Sequence, residues 1–232
     1  MDANDFKRAR RQAGLSQQKA AAELGVSQSY LSMLESSQRP VSAELSRRMV
    51  RVYKLSPVSL PPSEGSWQPK PVDPGQLAAD LAGLGYPGFA HLRKRRSHAN
   101  PGETLLTALS QESLEARLFE ALPWLVLKYW DLDRKWLVEQ AKLHDLQNRL
   151  GFVVSLARKA SRRAGLVNPQ REEALGELEA TLKRSLLARE EALGKSKLGD
   201  AEQKWLTKYR PRDARAWHLL TNWRPEALRY VA

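Results

Sequence analysis

Residues 15–42 read LSQQKAAAELGVSQSYLSMLESSQRPVS, and the fold of the first quarter of the chain follows from this stretch. Ser16 precedes a helix-forming run from Gln17 to Leu24, where its hydroxyl can accept from a first-turn amide that has no partner inside the helix. Gly25 follows the run, at the point where helices commonly end in a left-handed residue. Val26 can plug the turn, and Ser27 caps a further helix from Gln28 to Ser36. Gly14 stops an earlier helix, ahead of Ser16. Ala20, Ala21, Leu24, Val26, Leu31 and Leu34 form one apolar set, with Ala21 small enough for two helices to cross closely around a tight turn. The opposite face of the later helix shows Gln28, Ser29, Ser32, Met33 and Ser36, side chains that are short and uncharged.

Outward from this stretch, residues 1–55 hold 10 basic and 5 acidic side chains, the largest excess of any segment in a chain of net charge +12. Such a balance favours a polyanionic partner. The length of 232 residues and the 42% hydrophobic content allow one or two domains. No apolar run approaches the roughly 18 residues of a membrane span, and Met1 to Phe6 lacks a signal-peptide core, so a cytoplasmic protein with no membrane association is expected. The absence of cysteine excludes disulfides, thiolate zinc sites and cysteine nucleophiles, and four scattered histidines leave little for a metal.

Six prolines between Ser56 and Gly75 predict an extended linker, because proline at that density lacks the donors that helices and ladders need. Beyond it the periodicity is helical throughout. Helices are expected at 76–84, 89–96, 111–128, 134–143, 147–163, 170–193, 201–208, 214–220 and 226–231. The strongest apolar block runs from Leu114 to Val138, flanked by Trp124, Trp130 and Trp136, and Leu146 to Ala157 repeats at helical spacing. The reading is all-α, with a domain at 1–55, a linker at 56–75 and a helical domain at 76–232. The amphipathic stretch from Glu172 to Leu193 suits internal packing and a partner face equally.

The capped pair of runs in 15–42 resembles the Cro/repressor-like XRE family of helix-turn-helix regulators. The resemblance covers about the first quarter of the chain. It implies a bundle of four or five helices, the next supplied by Ala43 to Val52, and a dimer bound to double-stranded DNA at inverted half-sites. It implies that Gln28, Ser29 and Met33 face the major groove, with Ser32 on the same face. It also implies that Gln17 caps its helix against phosphate, that Gln38 and Arg39 sit in a phosphate-touching loop, and that Arg10 and Glu35 form a buried ion pair. The groove chemistry is consistent: glutamine can bond bidentately to adenine, serine can donate or accept, and Met33 can lie against a thymine methyl. Lys7, Arg8, Arg11, Lys19 and Arg39 would add salt-dependent affinity without sequence information.

The larger domain carries no comparable signature. Residues 121–160, with LGYPGFAHL at 84–92 and the end from Ala214, resemble the body of abortive-infection antitoxin-like regulators. That resemblance implies a homodimer or a bound protein toxin. The leading expectation is therefore a repressor on an inverted-repeat operator, and the alternative is an antitoxin that neutralises a toxin and regulates its own operon.

The candidates for chemistry fit structural roles better than catalytic ones. Asp131 and Asp133 lack the Gly-Ser element of a nucleotidyltransferase, and Asp133 reads better as the N-cap of the helix holding Trp136. Arg93 and His98 meet the spacing of the helical ribonucleases called HEPN domains, but they lie in a basic run entering a turn. His144, Asp145, Asn148 and Arg149 suit capping and hydrogen bonding at a helix junction. No phosphate-binding glycine loop, metalloprotease or hydrolase signal is present, so no cofactor, metal or catalytic residue is expected. Two basic clusters compete for a second nucleic-acid contact. One is Arg93 to Arg96, and the other is Lys204, Lys208, Arg210, Arg212 and Arg215 interleaved with Trp205, Tyr209 and Trp217. Burial in the core is the commoner fate of such aromatics.

Overall fold

The computed structural model describes residues 3–60, 67–92, 99–195 and 197–231. It divides into two compact units, Met1–Trp67 with His98–Asn100 and Gln68–Ser97 with Pro101–Ala232. The break after Trp67 falls inside the proline-dense stretch. Arg93 to Arg96 and His98, singled out from the sequence, lie outside the described residues.

The first unit holds four helices, α1 (Ala3–Gln12), α2 (Gln17–Leu24), α3 (Gln28–Glu35) and α4 (Ala43–Val52). Their ends are set by local chemistry. Ser16, Ser27 and Ser42 each accept from the backbone amide three residues on, at 3.2, 3.1 and 3.2 Å. After α2, Gly25 takes φ +67°. Its amide bonds to the Ala22 carbonyl at 3.1 Å, and that of Val26 bonds to the Ala21 carbonyl at 3.0 Å. This crossed pair is the Schellman arrangement, which uses up the last carbonyls and turns the chain sharply into α3. The same arrangement, with Gly14 at φ +69°, ends α1.

Phe6, Ala9, Ala20, Ala21, Leu24, Leu31, Leu34, Leu45, Met49 and Tyr53 form the core of this unit, and Val26 packs against it. A 3-10 turn at Pro57–Ser59 leads to buried Leu60.

The second unit contains α5 (Pro74–Gly83), α6 (Pro101–Ser110), α7 (Ala116–Lys128), α8 (Arg134–Leu143), α9 (Gln147–Arg163), α10 (Pro169–Arg184), α11 (Asp200–Tyr209) and α12 (Arg212–Ala216). The centre is α9, buried on nearly every side and packed by α6, α7, α8, α10 and α12. Gly151 is required there, because a Cβ at this position would meet the Trp217 ring at 2.2 Å.

Several boundaries depart from the sequence reading. The helix at Pro101–Ser110 was not expected; seven of its ten residues are buried, so it lacks the polar stripe that marks an amphipathic helix. The run expected at 170–193 stops at Arg184. The Asn148 carboxamide takes both backbone groups of Leu187, at 3.0 and 2.9 Å, in place of a helical ladder. Further on, Glu191–Ala192 pairs in parallel with Leu219–Leu220, so the helix expected at 214–220 ends at Ala216. A 3-10 turn at Pro225–Ala227 stands where a last helix was expected.

Candidate nucleic-acid interface

The outward face of α3 presents Gln28, Ser29 and Ser32 to solvent, with Met33 half-buried beside them. Gln28 and Ser29 occupy the first turn. Ser27 caps that turn, so the side chains there project from a fixed helix end.

Beneath this face lies a hydrogen-bonded series. Arg10 and Glu35 are 8% and 4% exposed. The guanidinium donates twice to the carboxylate, Nε to Oε1 at 2.6 Å and Nη2 to Oε2 at 3.0 Å. Its Nη1 donates to the Leu15 carbonyl at 2.8 Å, which ties the α1–α2 turn to the same charge. The hydrogen bond to Glu35 holds the Arg10 pKa above its ordinary value, against the opposing effect of burial. Gln17 Nε2 donates to Glu35 Oε2 at 3.2 Å, and Gln28 Nε2 donates to Gln17 Oε1 at 3.2 Å. A charge buried in the core is thereby connected through Gln17 to the exposed carboxamide of Gln28. That carboxamide keeps its own carbonyl oxygen and a second N–H for an external group.

The other residues singled out from the sequence surround this face. Lys19 is exposed on α2, and Gln38 and Arg39 are exposed in the loop after α3. Ser37 takes φ +61° there, and the Gln38 amide bonds back to the Met33 carbonyl at 2.9 Å. On α1, Arg11 is exposed and Lys7 half-buried, while Arg8 is engaged with Asp5 at 2.6 Å.

Two residues that the sequence reading missed also support the unit. Arg48 on α4 donates from Nη1 to the Leu24 carbonyl at 3.0 Å and so braces the end of α2. Tyr53 is buried, and burial first, then Glu35, pushes its phenol up to about 12. Neither has a sequence signal, since each acts across 18 or more residues of chain.

The chemical candidates of the second unit take structural places. Asp133 accepts from the Trp136 amide at 3.0 Å as the cap of α8. Asp145 pairs with Arg189 at 3.1 Å. Arg149 bonds Glu191 at 2.9 Å and the Leu109 carbonyl at 2.8 Å, which fastens the short parallel pair to α9 and α6. Among the described residues no group of three or more metal-capable side chains occurs, and no helix is long and apolar enough to cross a membrane.

A family model described as helix-turn-helix matches residues 6–60, the segment that carries α1 to α4. This segment is an XRE-type helix-turn-helix domain. The family is one of DNA-binding transcriptional regulators, and DNA binding in transcriptional regulation is the function that the helix-turn-helix head supports. The match leaves the remainder of the chain uncovered. No curated protein and no solved structure matches the chain.

Proposed function

We propose that the protein is a cytoplasmic repressor that binds an inverted-repeat operator as a dimer, with α3 of each head in the major groove. The observation that carries this reading is the Arg10–Glu35–Gln17–Gln28 series, which holds the Gln28 carboxamide at the exposed start of α3. A carboxamide held in this way reads adenine through N6 and N7. Ser29 and Ser32 bond to neighbouring base edges, and Met33 lies against a thymine methyl. Gln17, Lys19, Gln38 and Arg39 contact phosphates, which position the head without reading sequence. Arg10 and Glu35 are the structural support of this surface and do not touch DNA.

The second unit supplies the dimer. Two heads held together bind two half-sites at a high effective concentration, which raises affinity without any new contact. Selection from random duplexes with the full-length protein tests the reading. The expected product is an inverted repeat whose half-sites lie about one helical turn, roughly 34–36 Å, apart. Recovery of unrelated sequences would overturn it. Selection of a single half-site by a monomer, with the second unit instead holding a protein toxin, would assign the protein to the antitoxin class.

A further inference from the structure

The C-terminal cluster of cations and aromatics separates into two faces. Arg210 and Trp217 turn inward, at 8% and 3% exposure. Arg210 donates to the Leu219 carbonyl at 3.2 Å and to Glu190, and Trp217 lies against Gly151. Trp205 and Tyr209, one turn apart on α11, turn outward and are 47% and 51% exposed. Their ring centroids are 5.6 Å apart with the planes tilted by 40°.

Lys204 and Lys208 stand beside them, both exposed. Lys208 Nζ sits 5.2 Å from the Tyr209 ring centroid. Arg215 of α12 reaches back to the Lys208 carbonyl at 3.4 Å, which brings a third cation to the same end of α11. A groove lined by Asp200, Gln203, Lys204, Thr207 and Lys208 runs along the helix next to the aromatic pair.

Trp205 and Tyr209 together present two aromatic rings to solvent on one face of α11. Protein interfaces surround such anchors with other apolar side chains and are depleted in lysine. Here the neighbours are Asp200, Gln203, Lys204, Thr207, Lys208 and Arg215, and among the described residues the exposed aliphatic side chains Leu92, Leu143, Leu166 and Val167 lie outside α11. Aromatic rings interleaved with cations match single-stranded nucleic acid, whose unpaired bases stack on the rings while its phosphates meet the cations. A duplex does not fit, because its bases are already stacked on one another.

We propose that the outward face of α11 binds single-stranded nucleic acid, with Trp205 stacking on an unpaired base and Lys204, Lys208 and Arg215 pairing with the flanking phosphates. The site is separate from the helix-turn-helix head and would give the regulator a second nucleic-acid contact. DNA and RNA share this chemistry, and the test carries an arm for each.

Fluorescently labelled twelve-residue oligo-dT and oligo-U are titrated with the full-length protein, and binding is followed by anisotropy. Saturable binding of at least one of them is expected. Trp205→Ala should weaken it by roughly 5- to 160-fold, the loss of one stacked base, and Trp205→Phe should recover most of it. Lys204→Gln with Lys208→Gln should flatten the dependence of log affinity on log salt by about 0.7 for each lost contact. Equal binding by wild type and Trp205→Ala, or binding of neither oligonucleotide, overturns the proposal. A poly-glutamate peptide that binds through Trp205 where neither oligonucleotide does would make this face a protein-docking surface and would also overturn it.

Discussion

Glu35 carries three hydrogen bonds beneath the outward face of α3, two from Arg10 and one from Gln17. Removing the carboxylate strands a buried guanidinium, a loss of about 3–5 kcal/mol where burial is complete. Glu35→Ala should therefore lower the melting temperature of the helix-turn-helix unit, and Gln28, deprived of its anchored Gln17, should lose base preference as well. Melting followed by circular dichroism checks the first effect; an unchanged curve would show that the pair contributes nothing to folding. A second residue-scale prediction concerns Gly151. Alanine there brings a Cβ to 2.2 Å from the Trp217 ring, and overpacking of this kind costs about 1–3 kcal/mol. Urea denaturation of Gly151→Ala should show that loss, and a wild-type midpoint would contradict the close approach. Gln28, Ser29 and Ser32 were legible as one polar face because the Gly25 turn and the Ser27 cap fix where α3 begins. The bonds that Gln17 makes were not legible, because they join residues 11 and 18 positions apart.

At the scale of elements, α9 and α10 are clamped by ion pairs. Arg158 bonds both Glu172 and Glu179, and Arg162 also bonds Glu172. Burial alone would raise the Glu172 pKa, but the hydrogen bonds from Arg158 and Arg162 outweigh it and hold the carboxyl below its ordinary value. A carboxyl whose pKa is lower in the folded state adds stability that is fully present above its unfolded pKa, about 4.3, and is lost as pH falls through the folded value. The second unit should thus lose stability below about pH 4.3, and Glu172→Gln should remove part of that loss. Thermal melting across that range checks it; an identical acid limb in wild type and variant would contradict the clamp. Helix α8 was readable from periodicity because it carries a polar side, and α9 because its apolar repeat runs on through a helix of 17 residues. The helix α6 was not, being buried nearly all round, and the end of α10 depends on Asn148, 39 residues from the backbone it captures.

At the scale of the molecule, an all-helical chain with a capped four-helix head follows from repeated apolar spacing and from turn glycines. The parallel pair of Glu191–Ala192 with Leu219–Leu220 does not, since two-residue segments have no period of their own and are brought together by Arg149, Arg210 and His218. The division into two units accords with the proposal that the first binds DNA and the second holds two protomers together. Two chains of 26.2 kDa should therefore occupy one operator. Sedimentation of the protein–DNA complex should give two protomers per duplex, and a single protomer would remove the assembly role of the second unit.

The most direct test of base reading by α3 compares full-length wild type with Gln28→Ala on two duplexes. One is the selected operator, and the other differs from it only in the base pair that Gln28 reads. Wild type should prefer the operator by about 1–3 kcal/mol, and Gln28→Ala should lose that preference while its binding to unrelated DNA stays the same. The same preference in both proteins would show that α3 does not read bases through Gln28.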